Sequence, residues 1–273
     1  MKKLLHPIRF VIDWIDNQPF TWSGYGLSLF AILFLRLILE YFSSSSDFVF
    51  NVYAKFDGLH SIFWFLTLKA SLVLGLSWLL GRSVVRTAHV FSFFFPVIFV
   101  APILDMVFSG GAGTQMTYLH PREWGEALEG FGRFMQSDDF GKGATIGLTI
   151  EVAIIIGGMF FFALASTGSL LRAAASALVC YVIIYLYAIF PLLAFTLFDR
   201  LDIPNDMGFE VFNRVAVFLL LLLLILQSFF ILFLEYRKKF MLFVRDIRGL
   251  RILHYVAIFL LGGGFVLFRF RVV

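Results

Sequence analysis

Seven stretches of this chain are each long and apolar enough to cross a bilayer: Trp22–Phe42, His60–Leu80, Ala88–Phe108, Ala144–Thr167, Leu171–Phe198, Val211–Tyr236 and Ile252–Phe270. A membrane helix needs about 20 mostly apolar residues. Inside lipid, every backbone polar group must find its partner within the protein. The pattern therefore predicts an all-α fold, a polytopic transmembrane helical bundle of about seven spans. Composition agrees: 60% of residues are hydrophobic, 15% are charged and the mean hydropathy is +0.92, where soluble domains are about half apolar and a quarter charged. The one cysteine, Cys180, excludes an intrachain disulfide and reads as a small buried core residue.

The net charge of +4 reports topology in such a chain and not nucleic-acid binding. Lys2, Lys3 and Arg9 precede the first span, Arg82 and Arg86 follow the second, and Arg172 follows the fourth. Arg237, Lys238, Lys239, Arg245, Arg248 and Arg251 lie between the sixth and seventh. If every span crosses, these loops share one side. The other side holds Lys55, a segment richer in acids than bases, and "DRLDIPND". The positive-inside rule then puts the N-terminus in the cytoplasm and the C-terminus outside a plasma (inner) membrane. Membrane lipids are the expected partners. Pro7, Asp13 and Asp16 interrupt any signal-peptide core at the start.

The chain divides into four parts. Residues 1–21 read as a cytoplasmic interfacial helix, with Leu4, Ile8, Val11 and Ile15 at helical spacing beside Trp14. Residues 22–236 form a six-helix transmembrane module, 237–251 a basic cytoplasmic linker, and 252–273 the seventh helix. In the outer loop after span one, Phe48, Phe50, Val52, Ala54 and Phe56 alternate, which suggests a short strand or extended interfacial piece. The outer loop after span three carries Trp124, Leu128, Phe131 and Met135 as one apolar stripe. It predicts a surface-lying helix over Arg122–Met135, between hinges at Gly110, Gly111 and Gly113 and at Gly141 and Gly143.

Charge within a span is costly and marks a candidate site. Arg36 and Glu40 stand four apart in the first span and share a face. Lys69 lies mid-span in the second, Asp105 ends the third, and Glu151 lies about two turns into the fourth. Two readings follow. In one, Lys69 and Arg36 hold an anionic group such as a lipid phosphate, Asp105 or Glu151 balances it, and the loop helix is the lid. In the other, the charges are interhelical glue, with Arg36 on Glu40. Lys69 is expected to meet a carboxylate from another span, Glu151 or Asp105 being favoured.

Catalytic patterns are not found. His120, Glu123, Glu126 and Glu129 lack a cysteine or second nearby histidine and read as a solvated helix face, not a metal site. Asp202, Asp206 and Glu210 have spacing suited to Mg²⁺ and a diphosphate, but Pro204 interrupts the helix, so a turn capped at Asn205 or Asp206 is expected. "FGKGAT" fails as a P-loop, because Gln136 and Gly143 stand where Gly and Ser/Thr are needed. No catalytic residue, metal or cofactor is assigned, and the chain reads more as a non-enzyme than an enzyme.

The basic stretch "RDIRGLRILHYVAIFLLGGGF", with Arg245, Arg248, Arg251, His254, Tyr255 and Gly262–Gly264, resembles the opening of the first helix of UbiA-type prenyltransferases. That family's two aspartate-rich motifs are absent; "NDMGFE" has Phe209 where the next aspartate would fall. "PVIFVAPILDMVFSGGAGTQMTYL" and "IEVAIIIGGMFFFALASTGSLLRA" look like a six-helix module placed before a UbiA-type domain, and "LGLSWLLGR" resembles a Yip1-type bundle. The resemblance implies a junction at Arg245–His254 with a truncated UbiA-type domain, or a partner carrying one. The plainer reading is the positive anchor of a seventh helix.

Three functions are compatible with these residues. One is a non-enzymatic module that binds or handles a lipid or isoprenoid. Another is part of a UbiA-type prenyltransferase acting on isoprenyl diphosphates, which needs converging acidic clusters. The third is a small-solute transporter or channel subunit, which needs helices broken at the midplane; Pro96, Pro102 and Pro191 would break spans three and five. The topology makes a direct prediction. Tags at the two termini should show opposite protease access in sealed vesicles; equal access would overturn seven spans.

Overall fold

The computed structural model describes residues 2–43, 52–108, 119, 121, 123–133, 145–200, 209–246, 254 and 258. Its helices are α1 (Lys2–Asp16), α2 (Trp22–Ser43), α3 (Val52–Leu80), α4 (Val84–Phe94), α5 (Val100–Phe108), α6 (Trp124–Arg133), α7 (Ile146–Thr167), α8 (Leu170–Ala188), α9 (Phe190–Arg200), α10 (Phe209–Glu235) and α11 (Arg237–Asp246). A 3₁₀ segment, Phe95–Phe99, joins α4 to α5. Every regular element among the described residues is helical, and six stretches are long and apolar enough to span: Ser23–Glu40, Gly58–Leu80, Val84–Phe108, Ile146–Thr167, Leu170–Ala188 and Val215–Glu235. The protein is an all-α polytopic bundle. The predicted seventh span lies outside the described residues apart from His254 and Ile258, both helical and exposed.

α3 stands at the centre, packed against α10, α8 and α4. Its Leu72, Val73 and Leu76 join Val84, Ala88 and Phe91 of α4 and Cys180 and Ile184 of α8 in the main core. α2 and α10 lie at the periphery; Leu27, Phe30 and Phe34 of α2 and Leu226, Phe229 and Phe230 of α10 are exposed on the surface that lipid would cover. α1 buries Leu5, Ile12 and Ile15 and packs Ile8 and Val11 against α7 and α4, so its amphipathic face lies on one end of the bundle.

Two local readings are corrected. The alternating segment after span one is helical from Val52 onward, as the first turns of α3. A helix already fixed by a 29-residue run extends at one bond per residue, which outweighs a short alternation. The stretch read as a basic linker is helical over Arg237–Asp246.

Two spans are interrupted. In the third, Pro96 opens the 3₁₀ segment between α4 and α5. In the fifth, α8 stops at Ala188 and α9 begins at Phe190, with Pro191 in its first turn. The turn between α7 and α8 is tight. Gly168 has φ +69° and donates its N–H to Leu164 O at 2.8 Å, a left-handed helix end that suits glycine. Gly168→Ala should therefore lower stability by about 1 kcal/mol, read as a reduced melting temperature in detergent. An unchanged melting temperature would contradict the left-handed geometry.

Candidate functional site: charges at the broken third span

The site begins with what proline removes. Pro102 has no N–H, so Ile98 O loses its helical donor four residues on. Arg36 of α2 supplies a replacement, its Nη1 donating to Ile98 O. The change from 3₁₀ to α geometry frees a donor too. Val100 N–H bonds back to Val97 O, and Ala101 N–H turns instead to Glu151 Oε2 of α7 at 2.9 Å. That same carboxylate oxygen lies 3.3 Å from Arg36 Nη1. One ion pair thus fills an orphan carbonyl and an orphan N–H of the interrupted span.

Arg36 is 0% exposed. Glu40, one turn on, places Oε2 3.8 Å from Arg36 Nε, and the guanidinium lies 5.5 Å from the Phe65 ring centroid. The predicted Arg36–Glu40 pair is present. A charge this buried is tolerated only when matched, and here two carboxylates, a carbonyl and a ring face surround it.

Asp105 has a different role from the one expected. It accepts from Thr145 Oγ1 at 2.6 Å and Gly147 N at 2.9 Å, while Thr145 Oγ1 caps Leu148 N at 3.0 Å. A carboxylate at the N-terminus of α7 also suits the helix dipole. Glycine at 147 is required by close approach: a Cβ there would stand 2.6 Å from Asp105 Oδ1 and closer still to Ala101 O.

Lys69 corrects the central expectation. It is 3% exposed and makes no ion pair with a described carboxylate. Its Nζ donates to Ser92 Oγ at 3.0 Å and lies 4.7 Å from the Tyr25 ring centroid and 4.4 Å from that of Phe95. The reason is competition. Glu151 is held by Arg36 and Ala101, and Asp105 by the start of α7, so neither faces Lys69. Lys69 stands four residues after Phe65 on one face of α3, and Phe95 stands three before Ile98. The Lys69 site is therefore one turn further along the seam that Arg36 occupies.

The fifth span is closed by neutral groups that sequence reasoning missed. Pro191 frees Tyr187 O, and Trp64 Nε1 donates to it at 3.2 Å. Leu192 N bonds to Ile189 O, which frees Ala188 O for Leu119 N at 2.9 Å. Tyr181 and Tyr185 hydroxyls donate to Phe131 O and Ala127 O. The usable signal was the carbonyl four residues before each proline; nothing in the sequence named its donor.

The loop helix is present over Trp124–Arg133, and its stripe is divided. Phe131 packs on Tyr181 and Tyr185 at 4.9 and 5.2 Å between ring centroids. Ala127 and Gly130 form the rest of its buried face. Trp124 and Leu128 (75% exposed) point away from the bundle. Small residues let α6 approach closely enough for the tyrosine hydroxyls to reach its carbonyls, which turns the larger side chains outward. Met135 lies outside the described residues. Glu123, Glu126 and Glu129 are exposed. His120, Asp202, Asp206, Arg248 and Arg251 lie outside the described residues, while Arg245 falls in α11 and His254 is exposed.

No protein-family model, curated protein or solved structure matches the chain.

The ion pair is testable by a double-mutant cycle in detergent. Arg36→Met leaves the Glu151 carboxylate buried and Ile98 O without its donor, and should cost about 3–5 kcal/mol. Glu151→Gln keeps an acceptor for Ala101 N–H and should cost less. Strictly additive losses would mean that the pair does not close the break.

Proposed function

We propose that this chain is a non-enzymatic, multi-pass membrane module that handles an anionic group inside the bilayer, with Lys69 as its cationic contact. The observation that carries the proposal is the contrast between Lys69 and the other buried charges. Arg36, Glu40, Asp105 and Glu151 each meet an opposite charge or an orphan backbone group. Lys69 meets one hydroxyl and two ring faces. It stands eleven residues from each end of the span Gly58–Leu80 (69 − 58 and 80 − 69), the depth at which charge is most expensive and most often functional.

Two sources of the anion share this chemistry: the head of an anionic lipid or isoprenoid, and a small anionic solute. The interrupted third span, whose Phe95 lies against Lys69, supports passage as well as binding, since broken helices beside a midplane site are the architecture of carriers. The alternation of Lys and Arg supports a plasma-membrane location with a cytoplasmic N-terminus. The prenyltransferase reading rests on the closing stretch alone.

Reconstitution separates the sources. One set of vesicles carries fluorescent phosphatidylglycerol, and its appearance in the opposite leaflet is followed by dithionite quenching. A second traps inorganic phosphate and follows its release. The wild type should accelerate one process, Lys69→Met should abolish it, and Lys69→Arg should retain part of it. Equal rates for wild type and a folded Lys69→Met in both assays would overturn the proposal.

A further inference from the structure

The end of the bundle that carries α1 holds a cluster that none of these roles uses. Two arginines from different elements bond the C-terminal end of α7, and a third stands just past the turn, at the start of α8. Arg9 of α1 donates Nε to Ala165 O at 2.9 Å, and its Nη2 lies 3.8 Å from where a Cβ on Gly168 would stand. Arg82, between α3 and α4, donates Nη1 to Ser166 Oγ at 3.3 Å and lies 5.3 Å from the Phe162 ring centroid. Arg172 stands in the first turn of α8, its backbone N–H held by Ser169 Oγ at 3.4 Å.

Among the described residues the cluster holds one ion pair, and the nearby Glu235 carboxylate is taken by Ser83 Oγ and Val84 N. Asp16 bonds Arg82 Nη2 at 2.6 Å, while Arg9 and Arg172 make no ion pair with a described carboxylate. Each guanidinium carries five donors in a planar fork that suits phosphate oxygens, and Arg9 spends one of its five on Ala165 O. Leu171, next to Arg172 in α8, and Trp78, near the end of α3, are 81% and 84% exposed. Cationic groups at a helix end, next to large apolar side chains on the same rim, complement an amphiphile and not a free ion. Trp and Arg at this level are also what a headgroup region favours.

We propose that Arg9, Arg82 and Arg172 form a binding site for the phosphate headgroup of an anionic phospholipid, its acyl chains lying along Leu171 and Trp78. The bound lipid would tie α1 to the α7–α8 turn at a point where, among the described residues, the one ion pair of the three arginines is Arg82–Asp16. The site is separate from Lys69, which is mid-span.

Native mass spectrometry of the full chain in mild detergent provides the test, with phosphatidylglycerol and phosphatidylcholine offered in turn. The wild type should retain phosphatidylglycerol about thirtyfold better, as expected for two uncompensated basic groups near a headgroup. Arg172→Gln, an exposed position, should bring retention down to the phosphatidylcholine level without changing the melting temperature. Arg9→Lys should keep part of the preference, which separates charge from folding. Lys69→Met should keep all of it, so failure here is distinct from failure of the midplane proposal. Three outcomes would overturn the site: full retention by Arg172→Gln, an equal loss from the control Lys238→Gln elsewhere on the basic rim, or displacement by inorganic phosphate at the same concentration as lipid.

Discussion

A proline inside a membrane helix leaves a carbonyl with no donor, and lipid offers none. The Arg36–Ile98 hydrogen bond answers that deficit in the third span, and much of the arrangement follows from it. Bringing a guanidinium to Ile98 requires a carboxylate beside it, which Glu151 provides. Glu151 at that place requires α7 to lie tightly on α5, and that contact is possible because position 147 is glycine and because Asp105 receives the Gly147 N–H and the Thr145 hydroxyl at the start of α7. One missing N–H thereby fixes the relation of α2, α5 and α7.

The two interruptions are closed in different ways. The third span uses full charges, each costly to desolvate and stable only as a set. The fifth uses an indole N–H and a backbone N–H, which carry no such cost. The fifth span's closure also recruits Leu119, between the third and fourth spans, whose N–H is the donor to Ala188 O. Leu119 is thus part of the bundle's hydrogen bonding. α3 serves both regions, with Phe65 under Arg36 and Trp64 on Tyr187 O, from adjacent positions that face different neighbours.

Much of the architecture was legible in the sequence, because apolar run length and the bilayer's thickness allow few solutions. Six of the predicted spans, the amphipathic face of α1 and the positions of the breaks follow from local pattern. The partners did not. From sequence, Arg36 pairs with Glu40 and Glu151 is offered to Lys69, and only the three-dimensional position of Ala101 N–H brings Glu151 to Arg36 instead. The outer helix shows the same limit: spacing put Trp124, Leu128 and Phe131 on one face, but packing on α8 selected Ala127 and Gly130 for close approach instead. Pairings made across 50 or more residues, such as Ala101–Glu151, leave no local periodicity to read.

The Arg36–Glu151 contact also has a consequence in time. The two residues are 115 positions apart, so at about 5–20 residues per second of synthesis Arg36 is made roughly 6–23 seconds before its carboxylate exists. Glu40 needs no such wait, being one turn away in the same helix and made almost at once. A helix that inserts with its own counter-ion carries a neutral pair into the membrane and not a bare cation. On this account the 3.8 Å contact with Glu40 is what lets α2 enter lipid, and the contact with Glu151 is what later holds it in place.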